Sequence, residues 1–436
     1  MSKPLRIAAV GDLVTTRPLT PIAAGDEGFA DVVALLRGAD ATFGNLETAI
    51  VGLEEPGIHP WGVPDDWSVR ADPAVAADLR DVGFDVVGRA NNHALDWGPA
   101  GLTATTRALD AAGLAHAGAG DTAAAAGAVR FHETPAGRVA LVSATTWPSP
   151  PDTARALDAH GEVPARPGVN TLGVATTIVA PPEGLAFVHD VIAAAPELST
   201  AWMTLPGLVE LSRSQVVEGP EVEVRYEVDG DDRRRVLRAV RLGAQDSDVC
   251  LLAIHTHHGD APELYPPTFL RELAKAAIDA GAHLVAISGP HRIAPVEVHR
   301  GRPIFFGLGN FLWSDLGAPV QGYMWERTRQ ALGDAAPDPA TATDADLLNL
   351  LNADAFDAPE VFHALVAEVT VDAGEVRDIT LRPVDLGRDR LLTERGIPRT
   401  PVPDVASAIL RHVATISAPM DTTIDAGLHQ GVVALP

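Results

Sequence analysis

Residues 87–98 read VGRANNHALDWG. Before them runs the short, strand-like FDVV of residues 84–87, and after them Gly98 and Pro99 open a helical pattern that ends at Gly113. Between strand and helix lie two amides, an imidazole and a carboxylate: Asn91, Asn92, His93 and Asp96. In open α/β sheets, ligands bind beyond the carboxyl ends of the strands. A strand that ends in such side chains therefore points to an α/β fold with a site along one sheet edge.

Outward from this turn the same rhythm repeats, as expected of βαβ units and a largely parallel sheet. LRIAAVGD (5–12) reads as a strand ending in a polar turn at Asp12, and DEGFADVVALLRGA (26–39) has helical spacing. DATFGNLETAI (40–50) is a second strand and turn. In DPAVAADLRDVG (72–83), Asp72 is placed as an N-cap and Pro73 at the first helical position. SDVCLLAIHTHHGD (247–260) and AHLVAISGPHR (282–292) repeat the strand and turn, with a helix between them at 267–281. Two-strand patterns around PAGR (135–138), RGRP (300–303) and DAGE (372–375) predict hairpins, so the sheets are expected to be mixed. Residues 1–436 read as one domain, interrupted by probable insertions at 181–245 and 317–358 and closed by strands and a helix in 359–436.

The net charge is −25, from 33 basic and 58 acidic residues, and Lys3 and Lys275 are the two lysines. Such a surface repels phosphate backbones, which excludes nucleic acid as a partner; an anionic substrate would need local arginine or a metal ion. The one cysteine, Cys250, rules out an internal disulfide and a cysteine-rich zinc site, and its apolar setting marks it as a buried bystander. No run is apolar enough to span a bilayer and residues 1–12 carry no long apolar segment, so a soluble cytoplasmic protein is expected.

Polar groups recur at the predicted strand ends: Asp12, Asn45 with Glu47, Asn92 with His93, His255 with His257, and His291. Each has a bland reading. Asp12 suits a turn, the two asparagines suit left-handed turn positions, and His93 could be a hydrogen-bonded surface histidine. Five such junctions on one edge are instead a metal-site pattern. Mixed oxygen and nitrogen donors favour Mn²⁺, Zn²⁺ or Fe²⁺ over Mg²⁺ or Ca²⁺. An unligated His93 beside the ion suits a general acid, with Asp96 holding its ring.

The segments AVGDL, FGNLETAI, ANNHALDWGPAGL, RPGVN, HTHHGD with Tyr265, LVAISGPHR and IFFGLGNF, in this order, resemble the poly-γ-glutamate capsule-biosynthesis, or CapA-like, family. That family looks like a branch of the calcineurin-like metallophosphoesterases. The resemblance implies a four-layer αββα sandwich of two mixed sheets with a dinuclear metal centre. By it, Asp12, Asn92, His257 and His291 correspond to metal ligands, with His255 as a close neighbour. His93 corresponds to the adjacent acid. Asn45 stands where the phosphoesterases place a bridging aspartate, and Glu47 is the better bridge. Val14 and Ile293 replace two histidines of the phosphoesterase pattern that serve one ion, so one firm site and a weaker second are expected. Arg89, Arg166, Asn170, Arg292 and Asn310 are placed around the substrate, since arginine in an acidic chain grips carboxylate or phosphate bidentately.

The expected activity is a metal-dependent hydrolase. Metal-activated hydroxide would attack a phosphoester or glutamyl-type amide, with His93 as general acid. The rival expectation is a non-catalytic binding or assembly protein that holds an anionic polymer.

Overall fold

Leu5–Thr15 is buried at every position but Arg6, and the larger sheet is built around it. Ile7 and Ala9 face an apolar cluster that includes Leu141, Leu251, Ala286 and Phe305 of a second sheet. Ala8 and Val10 face a different cluster, with Phe29, Val32 and Leu36 of helix Glu27–Arg37 and Leu79 of helix Val75–Val82. A strand covered on both faces must be apolar throughout, which is why its pattern shows no alternation. The computed structural model describes residues 3–21, 23–61, 68–148, 154–195, 209–211, 214–259, 265–314, 320–352 and 358–436.

The chain forms two compact units, one of Met1–Thr171 with Val236–Pro436 and one of Leu172–Arg235. In the larger unit, a mixed nine-stranded sheet runs Ile424–Ala426, Gly431–Val433, Glu375–Asp385, His363–Asp372, Leu5–Thr15, Ala41–Leu46, Val86–Gly88 and Ala115–Ala117. Asn310–Ser314 pairs in parallel with the distal half of Leu5–Thr15. A mixed six-stranded sheet runs Val296–His299, Arg302–Phe305, Leu284–Ser288, Val249–His255, Gly137–Thr145 and Arg130–Thr134. The three expected hairpins are present, turning at 135–136, 300–301 and 373–374. In the smaller unit, Val209–Leu211, Ser214–Glu218, Val174–Ala180 and Glu223–Val228 form a four-stranded sheet. Leu185 of helix Pro182–Ala194 packs there on Ala180 and Val216. The stretch expected as a second insertion carries helices Gly322–Leu332 and Asp344–Asn352, whose Met324, Leu347 and Leu348 share a small apolar cluster. Asp260 and residues 196–208, 212–213, 315–319 and 353–357 lie outside the described residues.

Three local expectations are corrected. The first strand does not end at Asp12: it shifts register there and continues to Thr15, because Asn310–Ser314 gives its last four residues a partner. The helix expected from Pro73 begins at Val75, and Asp72 instead accepts a turn hydrogen bond from the Ala74 amide at 2.9 Å. Neither Asn91 nor Asn92 is left-handed; Asn91 earns its place through hydrogen bonds described below. Among the described residues, no helix is long and apolar enough to cross a membrane.

Cys250 is buried and its thiol is pushed up to about 12 by desolvation, which makes it inert. Its backbone amide donates to His283 Nδ1 at 3.0 Å, and burial drives that imidazole down to about 4. Unfolded histidine titrates near 6.5, so both states are neutral above that value. As pH falls from about 6.5 through about 4, the unfolded chain takes up a proton that the folded chain refuses, and stability is lost. For this site the loss at pH 4.5 is on the order of 2 kcal/mol. Urea midpoints of chelated protein at pH 7.5 and 4.5 should show a smaller drop in His283→Asn, whose amide oxygen still accepts from residue 250 but does not titrate. An unchanged drop would remove His283 from the account.

Candidate metal centre

The site begins with a backbone approach that glycine permits. A Cβ on Gly11 would lie 1.9 Å from the Gly309 carbonyl oxygen, so the first strand and the 307–310 turn meet only because residue 11 has no side chain. The Asp12 amide donates to that same carbonyl at 3.2 Å. Asp12 is thereby held at the register shift, with its buried carboxylate aimed off the sheet edge. Its Oδ1 accepts from Asn45 Nδ2 at 2.8 Å, and its Oδ2 accepts from the Gly289 amide at 3.3 Å. Glu47 follows the second strand by one residue; its amide donates to the Leu13 carbonyl at 3.2 Å and its side chain has no solvent exposure.

Three imidazoles converge on these carboxylates. His255 Nε2 lies 3.3 Å from Glu47 Oε1 and 3.2 Å from His257 Nε2. Donors that share one ion at ~2.0–2.2 Å stand about 2.9–3.5 Å apart, and these spacings fall in that interval. The His255 ring is oriented from behind, its Nδ1 being 3.0 Å from Ser288 Oγ and 3.3 Å from Asn45 Nδ2. His291 stands at φ 54° after Gly289, with its Nδ1 2.8 Å from Asn310 Oδ1 and 3.6 Å from Asp12 Oδ2. Asn310 Nδ2 points at the His291 and Val361 carbonyls, 3.5 and 3.3 Å away, so its oxygen faces the ring. His291 Nδ1 therefore carries the proton, and Nε2 is left as a lone-pair donor. Trp313 packs edge-on against the same ring, centroids 5.0 Å apart.

The donor atoms form two overlapping sets, Glu47–His257–His291 and Asp12–Glu47–His255, each with all atoms within 4.8 Å of one another. Glu47 belongs to both. Burial pushes His291 down to about 4 and lowers His255 well below its ordinary value, with neighbouring imidazoles adding to the effect. Both rings are thus neutral at pH 7, the state in which imidazole binds metal.

The 91–96 turn completes the cluster. Asn91 Nδ2 donates to the Leu46 carbonyl at 2.7 Å and its Oδ1 accepts from the His93 amide at 3.1 Å, tying the turn to the second strand. Asn92 differs. Its Oδ1 is buried and takes no hydrogen bond among the described residues. A buried amide oxygen without a donor carries a cost that a coordinated cation would remove, so the residues present fit a metal. His93 Nδ1 is 2.8 Å from Asp96 Oδ2, which also accepts from the Val69 amide at 2.6 Å. The pair commits Nδ1 of the ring to Asp96. A proton on His93 is felt at both His255 and His291, so the three rings share one electrostatic neighbourhood.

The remaining expected site residues disperse. Asn45 and Asn310 sit in the cluster as orienting groups for Asp12, His255 and His291. Arg292 and His291 both line one cavity. Arg89 is buried beneath helix Gly98–Ala112, donating to Thr106 Oγ1 and the Leu102 carbonyl, and burial lowers it to about 10. Arg166 caps the Arg155 carbonyl, and Asn170 Nδ2 donates to the Ser143 carbonyl at 2.7 Å. Trp97 is buried with Nε1 on the Val69 carbonyl, whereas Trp61 is half-exposed beside His59. Sequence reasoning missed Ser288, which orients His255, and Trp147, which packs against His257 and His258. Ser288 ends a strand beside His255, a signal the pattern offered.

The family model for bacterial capsule synthesis protein PGA_cap matches residues 6–315. Two uncharacterized proteins of Sinorhizobium fredii, y4sH and y4uA, are each 34% identical over 439 aligned residues, covering 98% of this chain and 93% of their own. The capsule biosynthesis protein CapA of Bacillus anthracis is 23% identical, over 75% of this chain and 62% of its own length. The PGA biosynthesis protein CapA of Bacillus subtilis is 36% identical over 81 residues, 19% of each chain.

Proposed function

The chain belongs to the bacterial capsule synthesis protein PGA_cap family, and from that premise we propose that it is a hydrolase dependent on a divalent transition metal, cleaving a glutamyl-type amide or a phosphoester. The observation that carries this reading is the pair of donor sets meeting at Glu47, next to a His93–Asp96 pair that belongs to neither set. The names of the two Bacillus relatives support an association with capsule or poly-γ-glutamate metabolism. We take the nine- and six-stranded sheets as the inner layers of an αββα sandwich, which would put every donor on one edge.

In this reading Asp12, Glu47, Asn92, His255, His257 and His291 hold manganese, zinc or iron. The bound ion would lower the pKa of water toward neutrality and polarise the scissile oxygen or carbonyl. Asp96 fixes the His93 tautomer with the proton on Nδ1, leaving Nε2 to exchange a proton with the departing group. Trp147 and Trp313, packed on His257 and His291, limit the directions from which water and substrate approach.

Metal analysis of protein purified without chelator should find one to two equivalents of transition metal. Less than about 0.5 equivalent, unrestored by added Mn²⁺ or Zn²⁺, would contradict the reading. Metal-loaded protein assayed on p-nitrophenyl phosphates and on γ-glutamyl anilides then separates ester from amide cleavage.

A further inference from the structure

The sheet of the smaller unit ends in an open edge. Its last strand, Glu223–Val228, pairs antiparallel with Val174–Ala180 on one side and with no strand among the described residues on the other. Natural edge strands are commonly blunted by proline, by a bulge or by short length. This one holds an unbroken register, from Glu223 opposite Val179 to Val228 opposite Val174. Opposed residues share a face, so Val224, Tyr226 and Val228 lie on the face of Ile178, where helix Pro182–Ala194 packs. Val224 is nevertheless 46% exposed, and Val222, just before the strand, 75%. Glu223, Arg225 and Glu227 lie on the opposite face and are exposed. The hydrogen-bond phase fixes which backbone groups the edge offers. The Asp229 amide donates to the Gly173 carbonyl at 2.7 Å, in register with the strand pair. Antiparallel residues alternate between pairs that exchange hydrogen bonds and pairs that do not. Glu223, Arg225 and Glu227 therefore turn their backbone groups toward Val174–Ala180, and Val224, Tyr226 and Val228 turn theirs outward.

We infer that Glu223–Val228 is a self-complementary docking strand whose partner is the same strand of a second copy of this chain. Outward residues must oppose outward residues, so two antiparallel copies meet only with one residue facing its own counterpart. Centring on Arg225 sets that arginine against itself and Glu223 against Glu227, and centring on Glu227 opposes two glutamates. Centring on Val224 aligns only residues 223–225 of the strand. Centring on Tyr226 aligns residues 224–228: Tyr226 meets Tyr226, Val224 meets Val228 and Arg225 meets Glu227, the last two pairs occurring twice. The valines and tyrosines then form one apolar row, which covers the exposed Val224. The Arg225–Glu227 pairs fall at the positions without hydrogen bonds, where cross-strand side chains stand closest. Arg225 now pairs with Glu223 at 2.7 Å, both exposed, so it is available to share with Glu227 of the second copy. Two four-stranded sheets become one of eight strands.

The test is sedimentation equilibrium of the full chain. A strand pair this short makes a small interface, so the dimer should have a Kd on the order of 10–100 µM. Each chain carries a net charge of −25, so the measurement belongs at about 0.15 M salt, where long-range repulsion is screened. Arg225→Glu opposes carboxylates at both pairs and Glu227→Arg opposes guanidiniums, so each variant alone should associate at least tenfold more weakly. Mixed in equal amounts, the two should form a heterodimer at parental affinity, because every cross-strand pair again has opposite signs. The Val224-centred register predicts otherwise: Glu227→Arg would not weaken association, and mixing would restore nothing. Both substitutions are at exposed positions, so melting temperatures should stay parental. A parent chain that remains monomeric to ~0.5 mM, well above the Kd expected of a small interface, would overturn the assignment. So would single variants that dimerise like the parent, or a mixture that shows no recovery.

Discussion

Glu47→Gln should abolish metal-dependent hydrolysis and lower metal affinity by at least a hundredfold, while leaving the metal-free protein as stable as the parent or more so. Both donor sets contain this carboxylate, so one substitution removes an anionic donor from each. The amide keeps the shape but removes the negative charge that offsets the cation. The stability direction follows from burial. Glu47 has no exposure, and burial keeps His255 and His291 beside it neutral, so holding its negative charge without a cation is costly. Deleting that charge relieves a cost. Ligand-linked stabilisation, the rise in melting temperature on adding Mn²⁺, should vanish along with activity. Isothermal titration and melting curves with and without metal measure both effects. A variant that keeps parental metal affinity would break the link between the two donor sets.

His93→Ala should behave in the opposite way. Metal content and the metal-induced rise in melting temperature should be retained, and kcat should fall by about 10²–10⁴ with little change in KM. The reason is that His93 is in neither donor set and its Nδ1 is held by Asp96, so in the proposed reading its loss removes proton transfer and leaves the candidate ligands intact. Asp96 is a less clean probe, because its Oδ2 also accepts from the Val69 amide, and its loss would disturb the 68–69 backbone as well as the ring. Unaltered turnover in His93→Ala would favour the rival expectation, a protein that binds an anionic polymer without cleaving it.

These two residues also illustrate what a one-dimensional reading can and cannot see. His93 and Asp96 are three apart in a turn, and their pairing at 2.8 Å is a local event that spacing alone suggests. A carboxylate bridges ions and an amide does not, which favours Glu47 over Asn45 as a bridge. In the structure Asn45 donates to Asp12, and Glu47 is the carboxylate common to both candidate donor sets. An argument from charge likewise places both Arg89 and Arg292 around the substrate. Nothing in sequence separates them, yet one is pinned beneath a helix by Thr106 and Leu102 and the other lines the cavity beside His291. The two asparagines of the opening stretch are adjacent and chemically identical. One braces the turn through Leu46 and His93, and the other presents an oxygen that takes no hydrogen bond among the described residues.

The amino-acid order by itself determined the mixed α/β class, the three hairpins and the delivery of polar donors at successive strand ends. Periodicity and turn chemistry are properties of contiguous residues, and they survive without knowledge of the rest of the chain. Only the tertiary structure decided which candidate donors lie within reach of one another, which arginine lines a cavity, and that the first strand runs past Asp12 to pair with residues near 312. Those outcomes depend on segments some 300 residues apart meeting within a few ångströms. Close approach at that separation is fixed by packing, here by a glycine that lets one backbone touch another, and not by any local preference.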